Sequence, residues 1–217
     1  MELNSKNLNK FLNSTEDVDK EMVRDCLKNY NLKEVNFKNK ICLDLGANIG
    51  GFSKIAIENG AKKVISIECD SRNYNKMVES FKKEKKIKIL HGAISNYEGK
   101  IKIYKNDSKK SHCSVSTINK LKFKEYDEVK SINIEKILKK YNPEIIKVDI
   151  EGSEYDILES LTNYCPKVLF IELHKVKDKE KLLYWVNKLK EIYSISKCKE
   201  IFVFEILFAY DCLFIKE

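Results

Sequence analysis

The clearest regularity in the chain is the spacing of its apolar residues. Met22, Val23, Cys26, Leu27 and Tyr30 form one helical stripe, and Ser14 or Thr15 with Glu16 and Asp17 gives a start of the right charge. Residues 40–45 read as a short buried strand, followed by a glycine-rich turn, Gly46 to Gly51. A helix follows over 52–58, closed by Asn59-Gly60. The next strand is 63–67. Tyr74, Met77, Val78 and Phe81 mark the inner face of a helix that Ser71 can cap. Strands are expected at 87–90 and 101–104, the second alternating with lysine as a half-exposed strand does. Residues 106–130 show no clear period. An irregular stretch of that length inside a domain is uncommon unless it covers a site.

Ile134, Ile137, Leu138 and Tyr141 lie on one face of another helix. Residues 145–150 form a buried strand and 153–161 a helix, with Ser153 and Asp156 as a partial capping pair. A strand at 168–173 and a helix at 179–192 follow, the helix turning Leu182, Trp185, Val186, Leu189 and Ile192 inward. Residues 193–215 supply two more strands. Strands and helices that alternate in this way form a mostly parallel sheet with helices on both faces. Two closing strands with no helix between them imply an antiparallel edge. The expected organisation is an N-terminal helical extension, 1–39, packed on a single α/β domain, 40–217.

Composition narrows the picture further. With 43% hydrophobic and 34% charged residues and only seven glycines and two prolines, the chain is neither disordered nor linker-rich. Its seven cysteines include no CxxC pair, so neither a disulfide framework nor a structural zinc site is expected. The opening residues hold no signal-peptide stretch. The greasiest segment, 201–214, is interrupted by Glu205 and Asp211 and is too short to cross a bilayer. A cytoplasmic setting without membrane insertion is expected.

Candidate chemistry begins where the first strand ends, in LDLGANIGGFS. Gly46 lets the chain turn, and Gly50 and Gly51 permit a ligand to approach the backbone closely. The same turn would also serve as a plain strand-to-helix connection. Glu68 closes the second strand, where a carboxylate can accept both ribose hydroxyls of an adenosine. Asp44 would repel phosphate and attract an ammonium group, and the turn has neither GxGxxG spacing nor a Lys-Ser/Thr pair. An adenosyl ligand with positive charge near its amino-acid end, S-adenosylmethionine, fits these residues.

LDLGANIGGFS, VISIECD, HGAISNYEG and IIKVDIEGSEYDIL occur in that order, with INIEKIL before the last and FIELH after it. In these motifs the chain resembles the FkbM-type family of class I S-adenosylmethionine-dependent methyltransferases over about residues 40–175. The resemblance implies a Rossmann-like domain with a mostly parallel seven-stranded sheet and an antiparallel C-terminal strand. It also implies that Asp44, Gly46, Ala47 and Asn48 shape the methionine end of the pocket. Glu68 would hold the ribose beside Cys69, which stands where relatives more often have proline. Gly92, Ala93 and Ile94 would line the adenine, and Asp149 would face the reacting end.

KVDIEG is the sharpest cluster. Lys147, Asp149 and Glu151 alternate at a strand end, so they are expected on one side of it at the ligand-binding edge. A structural pairing of Lys147 with Asp149 or Glu172 is the alternative. For transfer to a hydroxyl, a carboxylate or imidazole must take the proton, and Asp149, Glu172 and then His174 are the candidates. Lys147 would hold substrate or set the carboxylates' charge. His174 would equally serve as a structural hydrogen-bonding residue. Asp149, Glu172 and His174 could take a divalent cation such as magnesium, though that reading is not the favoured one and no residue is assigned as a metal ligand.

Net charge is +8, with a dense run at Lys82, Lys83, Lys85, Lys86 and Lys88. Such a run is either a solvated face or a contact for a polyanion. Only two arginines occur, and VDIEG stands where base-flipping amino methyltransferases carry an NPPY-like turn. The expected activity is therefore O-methylation of a polar small molecule or sugar. RNA methylation is the alternative, and a non-catalytic binding subunit of the same fold is a second one. These residues do not fix an oligomeric state.

Overall fold

The computed structural model describes residues 32–105, 115–116, 126–174, 179–203 and 206–216. Its core is a seven-stranded sheet. The first half supplies β1 (Ile41–Leu45), β2 (Lys63–Glu68) and β3 (Ile87–His91), joined by α1 (Gly51–Glu58) and α2 (Ser71–Ser80). The second half supplies four more strands. They are numbered after the four strands of a second sheet: β4 (Ala93–Ser95), β5 (Gly99–Lys105), β6 (Val115–Ser116) and β7 (Tyr126–Asn133). After α3 (Ile134–Tyr141) come β8 (Ile145–Val148), α4 (Leu158–Tyr164), β9 (Val168–His174), α5 (Lys179–Ile192), β10 (Ile195–Val203) and β11 (Ile206–Ile215). The main sheet runs β10-β11-β9-β8-β1-β2-β3, with β11 antiparallel to both neighbours and the other pairs parallel. The antiparallel strand thus lies one place in from the edge rather than at it.

Strand periodicity divides the core into two layers, because successive side chains leave a strand on opposite faces. On one face Cys42, Val64, Ile145, Val168, Phe170 and Leu213 pack with Phe52, Ile55 and Ala56 of α1 and Met77 of α2. On the other, Leu43, Leu45, Ile65, Ile67, Ile146, Val148, Leu169 and Ile171 pack under α3, α4 and α5. The α1 face is apolar only near the amino ends of its strands. Two residues further along, the same alternation brings Asp44, Ser66, Glu68, Lys147, Glu172 and His174 to that face, and Asp211 from the antiparallel strand. A polar layer therefore lies across the carboxyl ends of the strands, where open parallel sheets bind ligands.

Several sequence expectations shift. Asp70, not Ser71, caps α2, its carboxylate accepting from the Arg72 and Asn73 N–H groups at 2.7 and 3.1 Å. Val78 is exposed, whereas Met77 and Phe81 are buried. The helix expected over 153–161 is a 3-10 turn, Glu154–Asp156, followed by α4, and the Ser153 side chain makes no cap bond. The segment expected to be irregular contains β6 and the start of β7, which pair with β5 in a second, four-stranded sheet. The rest of 106–125 lies outside the described residues, as does most of the expected N-terminal extension. Of that extension, Leu32, Val35 and Phe37 are buried in the α1-side core. No helix among the described residues is long and apolar enough to cross a membrane.

Candidate active site

The turn after β1 is held from both sides. Gly46 and Ala47 donate N–H bonds to the Ile67 carbonyl at 3.1 and 3.0 Å, and Asp149 donates to the Leu45 carbonyl at 3.1 Å. Gly46 has φ +70, and a Cβ there would lie 1.8 Å from the Asp149 carbonyl oxygen. Only glycine lets the turn pass over the end of β8. Gly50, expected to admit a ligand, lies against Met77 of α2 and Phe81 just after it, and a Cβ there would meet both.

Beneath the turn lies a fully buried polar cluster. Ser53 Oγ donates to Asp44 Oδ2 at 2.6 Å and lies 2.7 Å from Ser66 Oγ. Lys147 Nζ donates to the Gly46 carbonyl at 2.6 Å and stands 3.6 Å from Asp44 Oδ1 and 3.5 Å from Asp149 Oδ2. Burial raises the Asp44 pKa while the Lys147 ammonium and Ser53 act to lower it. Asp44 is 0% exposed, so it has no surface for direct contact with a ligand. Lys147 has the structural pairing with Asp149 that was the alternative to substrate binding.

Glu68 closes β2 at the same carboxyl edge. Its two carboxylate oxygens accept the Asn48 and Asp70 N–H groups, each at 2.7 Å, and each oxygen keeps lone-pair capacity for a hydroxyl. Asn48 reaches this position with φ +53, which asparagine tolerates better than most residues. Burial pushes Glu68 up to about 7, against the two N–H bonds that favour its anion. Gly92 donates to the Glu68 carbonyl at 2.9 Å. Cys69 and Ala93 pack together in a small apolar cluster, but the Ile94 side chain enters the core under α3 on the far face. Of the residues expected to line an adenine, Ile94 therefore has only its backbone to offer. His91, not anticipated from sequence, stacks on Tyr74 at 4.7 Å and approaches the Cys69 carbonyl at 3.1 Å through Nε2.

At the carboxyl ends of β8 and β9 the chain brings together Asp149, Glu172 and His174, one polar atom of each lying within 4.8 Å of the others. β8 stops at Val148, so Asp149 and Glu151 do not continue its alternation. Glu151 turns with φ +56 and points its Oε2 to His174 Nε2 at 3.3 Å. Glu172 Oε1 is also 3.3 Å from that nitrogen, and His174 Nδ1 bonds Glu154 Oε1 at 2.9 Å. Glu154 further accepts the Gly152 N–H at 2.8 Å, and Tyr155 donates its hydroxyl to the His174 carbonyl at 2.9 Å. Burial works against the His174 imidazolium, but the Glu154 hydrogen bond and the surrounding carboxylates raise it to about 10. Burial and then Asp149 push Glu172 up to about 9.

Sequence reasoning did not assign roles to Glu151, Glu154, Ser53 or Asp211. The first three lie within its motifs. Asp211, opposite Glu172 in the β9–β11 register, was legible only as a charge interrupting an apolar run.

The model of the methyltransferase FkbM domain matches residues 44–206. The chain belongs to the FkbM methyltransferase family. It is accordingly an S-adenosylmethionine-dependent methyltransferase, and the glycine turn, Glu68 and the Asp149 edge all fall within the matched span. A 53-residue stretch is 34% identical to hemolysin A of Brachyspira hyodysenteriae, covering 24% of this chain and only 21% of that protein. Among solved structures, an rRNA methylase from Streptococcus thermophilus superposes with TM-score 0.53 at 10% identity, over 86% of this chain and 92% of that one. A precorrin-6y C5,15-methyltransferase from Geobacter metallireducens gives 0.51 at 11% identity, over 91% and 89%. At such identities the likeness is one of fold, and the FkbM chain shares with both the class I methyltransferase architecture.

Proposed function

We propose that this FkbM methyltransferase transfers a methyl group from S-adenosylmethionine to a hydroxyl oxygen of a polar small molecule or sugar. The observation that carries the proposal is the convergence of Asp149, Glu172 and His174 at the carboxyl edge, beside the Gly46 turn. The residues present suit the cofactor. Glu68 keeps acceptor capacity for two hydroxyls, and the nearby carboxylates Asp44 and Asp149 favour a cationic ligand over a phosphate. When bound, S-adenosylmethionine supplies an electrophilic methyl, whose bond to sulfur breaks with the electron pair staying on sulfur as the acceptor oxygen bonds to carbon.

The chain's own part is to position the acceptor and receive its proton. Orientation carries most of the gain in such a transfer. Glu172 and His174 flank Asp149 and orient the acceptor's oxygens. Asp149 receives the hydroxyl proton, with the Lys147 ammonium 3.5 Å away to steady its charge. Asp44, Gly46, Ala47 and Asn48 are assigned to the methionine end, Glu68 to the ribose, and Gly92, Ala93 and the Ile94 backbone to the adenine side.

The RNA alternative draws no support from the lysine run. α2 starts at the carboxyl edge and runs back, so residues 82–86 lie at the amino ends of the strands, where Val64 donates to the Lys86 carbonyl at 2.9 Å. Lys63, Lys88 and Lys140 stand 5.5–5.7 Å from the Tyr141 ring at that same end. The test is incubation with methyl-labelled S-adenosylmethionine and a panel of monosaccharides, hydroxy acids and transcribed RNA. Label in a methyl ether of a small acceptor is the expected result; label in RNA would overturn the proposal.

A further inference from the structure

The carboxyl edge carries one feature that methyl transfer alone does not require. We propose that Asp149, Glu172 and His174 Nε2 bind one divalent cation of the manganese class next to the acceptor. What the cation does there rests on the O-methyltransferase reading, but its binding does not.

Three arguments lead to it. The donor atoms of Asp149, Glu172 and His174 lie within 4.8 Å of one another. Ligands about 2.0–2.3 Å from a shared ion are separated by no more than about 4.6 Å, so only a small inward adjustment is needed. The second argument is the orientation of His174. It is 2% exposed, and its Nδ1 is tied at 2.9 Å to Glu154, which is itself 0% exposed and outside the ligand trio. A carboxylate on the far ring nitrogen is the usual outer support of a metal-binding histidine, fixing which nitrogen faces the ion. Glu151 Oε2, 3.3 Å from the same Nε2, is placed to be a fourth ligand and third oxygen.

The third argument is charge. Asp149, Glu151 and Glu172 gather here with Asp211 opposite Glu172 in the strand register. The nearby Lys147 also serves Asp44 and the Gly46 carbonyl. A divalent ion bound here would have these carboxylates to balance its charge. One imidazole nitrogen with two or three carboxylate oxygens suits manganese better than magnesium, which prefers oxygen alone. Three or four protein ligands leave open positions for a six-coordinate ion, directed to where the acceptor would lie. The acceptor class is narrowed accordingly to molecules with two adjacent oxygens, such as a vicinal diol or an α-hydroxy acid.

The test is titration of chelator-treated protein with manganese chloride, counting the free ion by electron paramagnetic resonance. S-adenosylmethionine binding is measured separately by calorimetry. One ion bound per chain, weakened at least tenfold in both Glu172→Gln and His174→Gln, is the expected result. Circular dichroism establishes that the variants are folded, and Glu172→Gln alone decides if His174→Gln is not. The proposal is overturned if the wild type shows no saturable manganese binding, or if folded Glu172→Gln binds as the wild type does. Failure of S-adenosylmethionine to bind would instead count against the preceding reading, leaving the ion count to stand by itself.

Discussion

Single residues set the chemistry of this FkbM methyltransferase through burial. Glu68 is held in place by two backbone N–H groups yet raised to about 7, so its charge changes near neutrality. Ribose hydroxyls donate to it best when it is ionised. S-adenosylmethionine affinity is therefore expected to rise from pH 6 to 8, roughly the range around that pKa, and the slope to vanish in Glu68→Gln. That variant should bind at least about tenfold more weakly at pH 8, on the order of 1.4 kcal/mol, as read by calorimetry. The stability sign is opposite. Because the folded pKa lies above the ordinary value of 4.5, folding stability from this group falls as pH rises from there to about 7. Denaturation of Glu68→Gln across that range should lack this fall. At Gly46 a methyl group would meet the Asp149 carbonyl at 1.8 Å with φ +70, so Gly46→Ala is expected to cost about 3 kcal/mol or more in urea denaturation.

At the scale of elements, helices α1 and α2 hold the site from below. Phe52 of α1 meets Phe37 and Phe170 edge-on at 6.0 and 5.7 Å, wedging the helix against β9 two residues before Glu172. Phe170→Ala should cost about 3–5 kcal/mol by urea denaturation. Elements whose apolar residues face a core were legible in sequence: the stripes of α3 and α5 and the runs of β1, β2, β8 and β9. Of the second sheet only β5 was, read as a strand over 101–104; β4 and β7 were not, because their inward positions are partly polar. Ser131 of β7 is buried against Ser95 of β4 with 2.5 Å between their oxygens, and Val129 is the only buried apolar residue in β7. A hydrophobic pattern cannot register a strand whose burial rests on hydroxyl pairing. The site showed the same division. The glycine turn, Glu68 and Asp149 carry their chemistry in their neighbours along the chain. Glu154 behind His174 and Asp211 beside Glu172 acquire theirs only from strand pairing and folding.

For the molecule as a whole, the two ends of the sheet divide the work. The carboxyl edge gathers carboxylates, while the amino end carries the lysines around Tyr141 and the 82–88 run. Replacing Lys82, Lys83, Lys85 and Lys86 together with glutamine should leave transfer to a small acceptor within about twofold, since exposed charges beyond a Debye length are screened. Steady-state kinetics at physiological salt checks this. The central claim is that transfer takes place at the Asp149 edge. Single-turnover methyl transfer by Asp149→Asn, with S-adenosylmethionine affinity measured on the same preparation, tests it most directly. The account predicts a rate lower by about a hundredfold or more with affinity much less affected. A wild-type rate in the variant, or a loss that lies entirely in cofactor affinity, would contradict it.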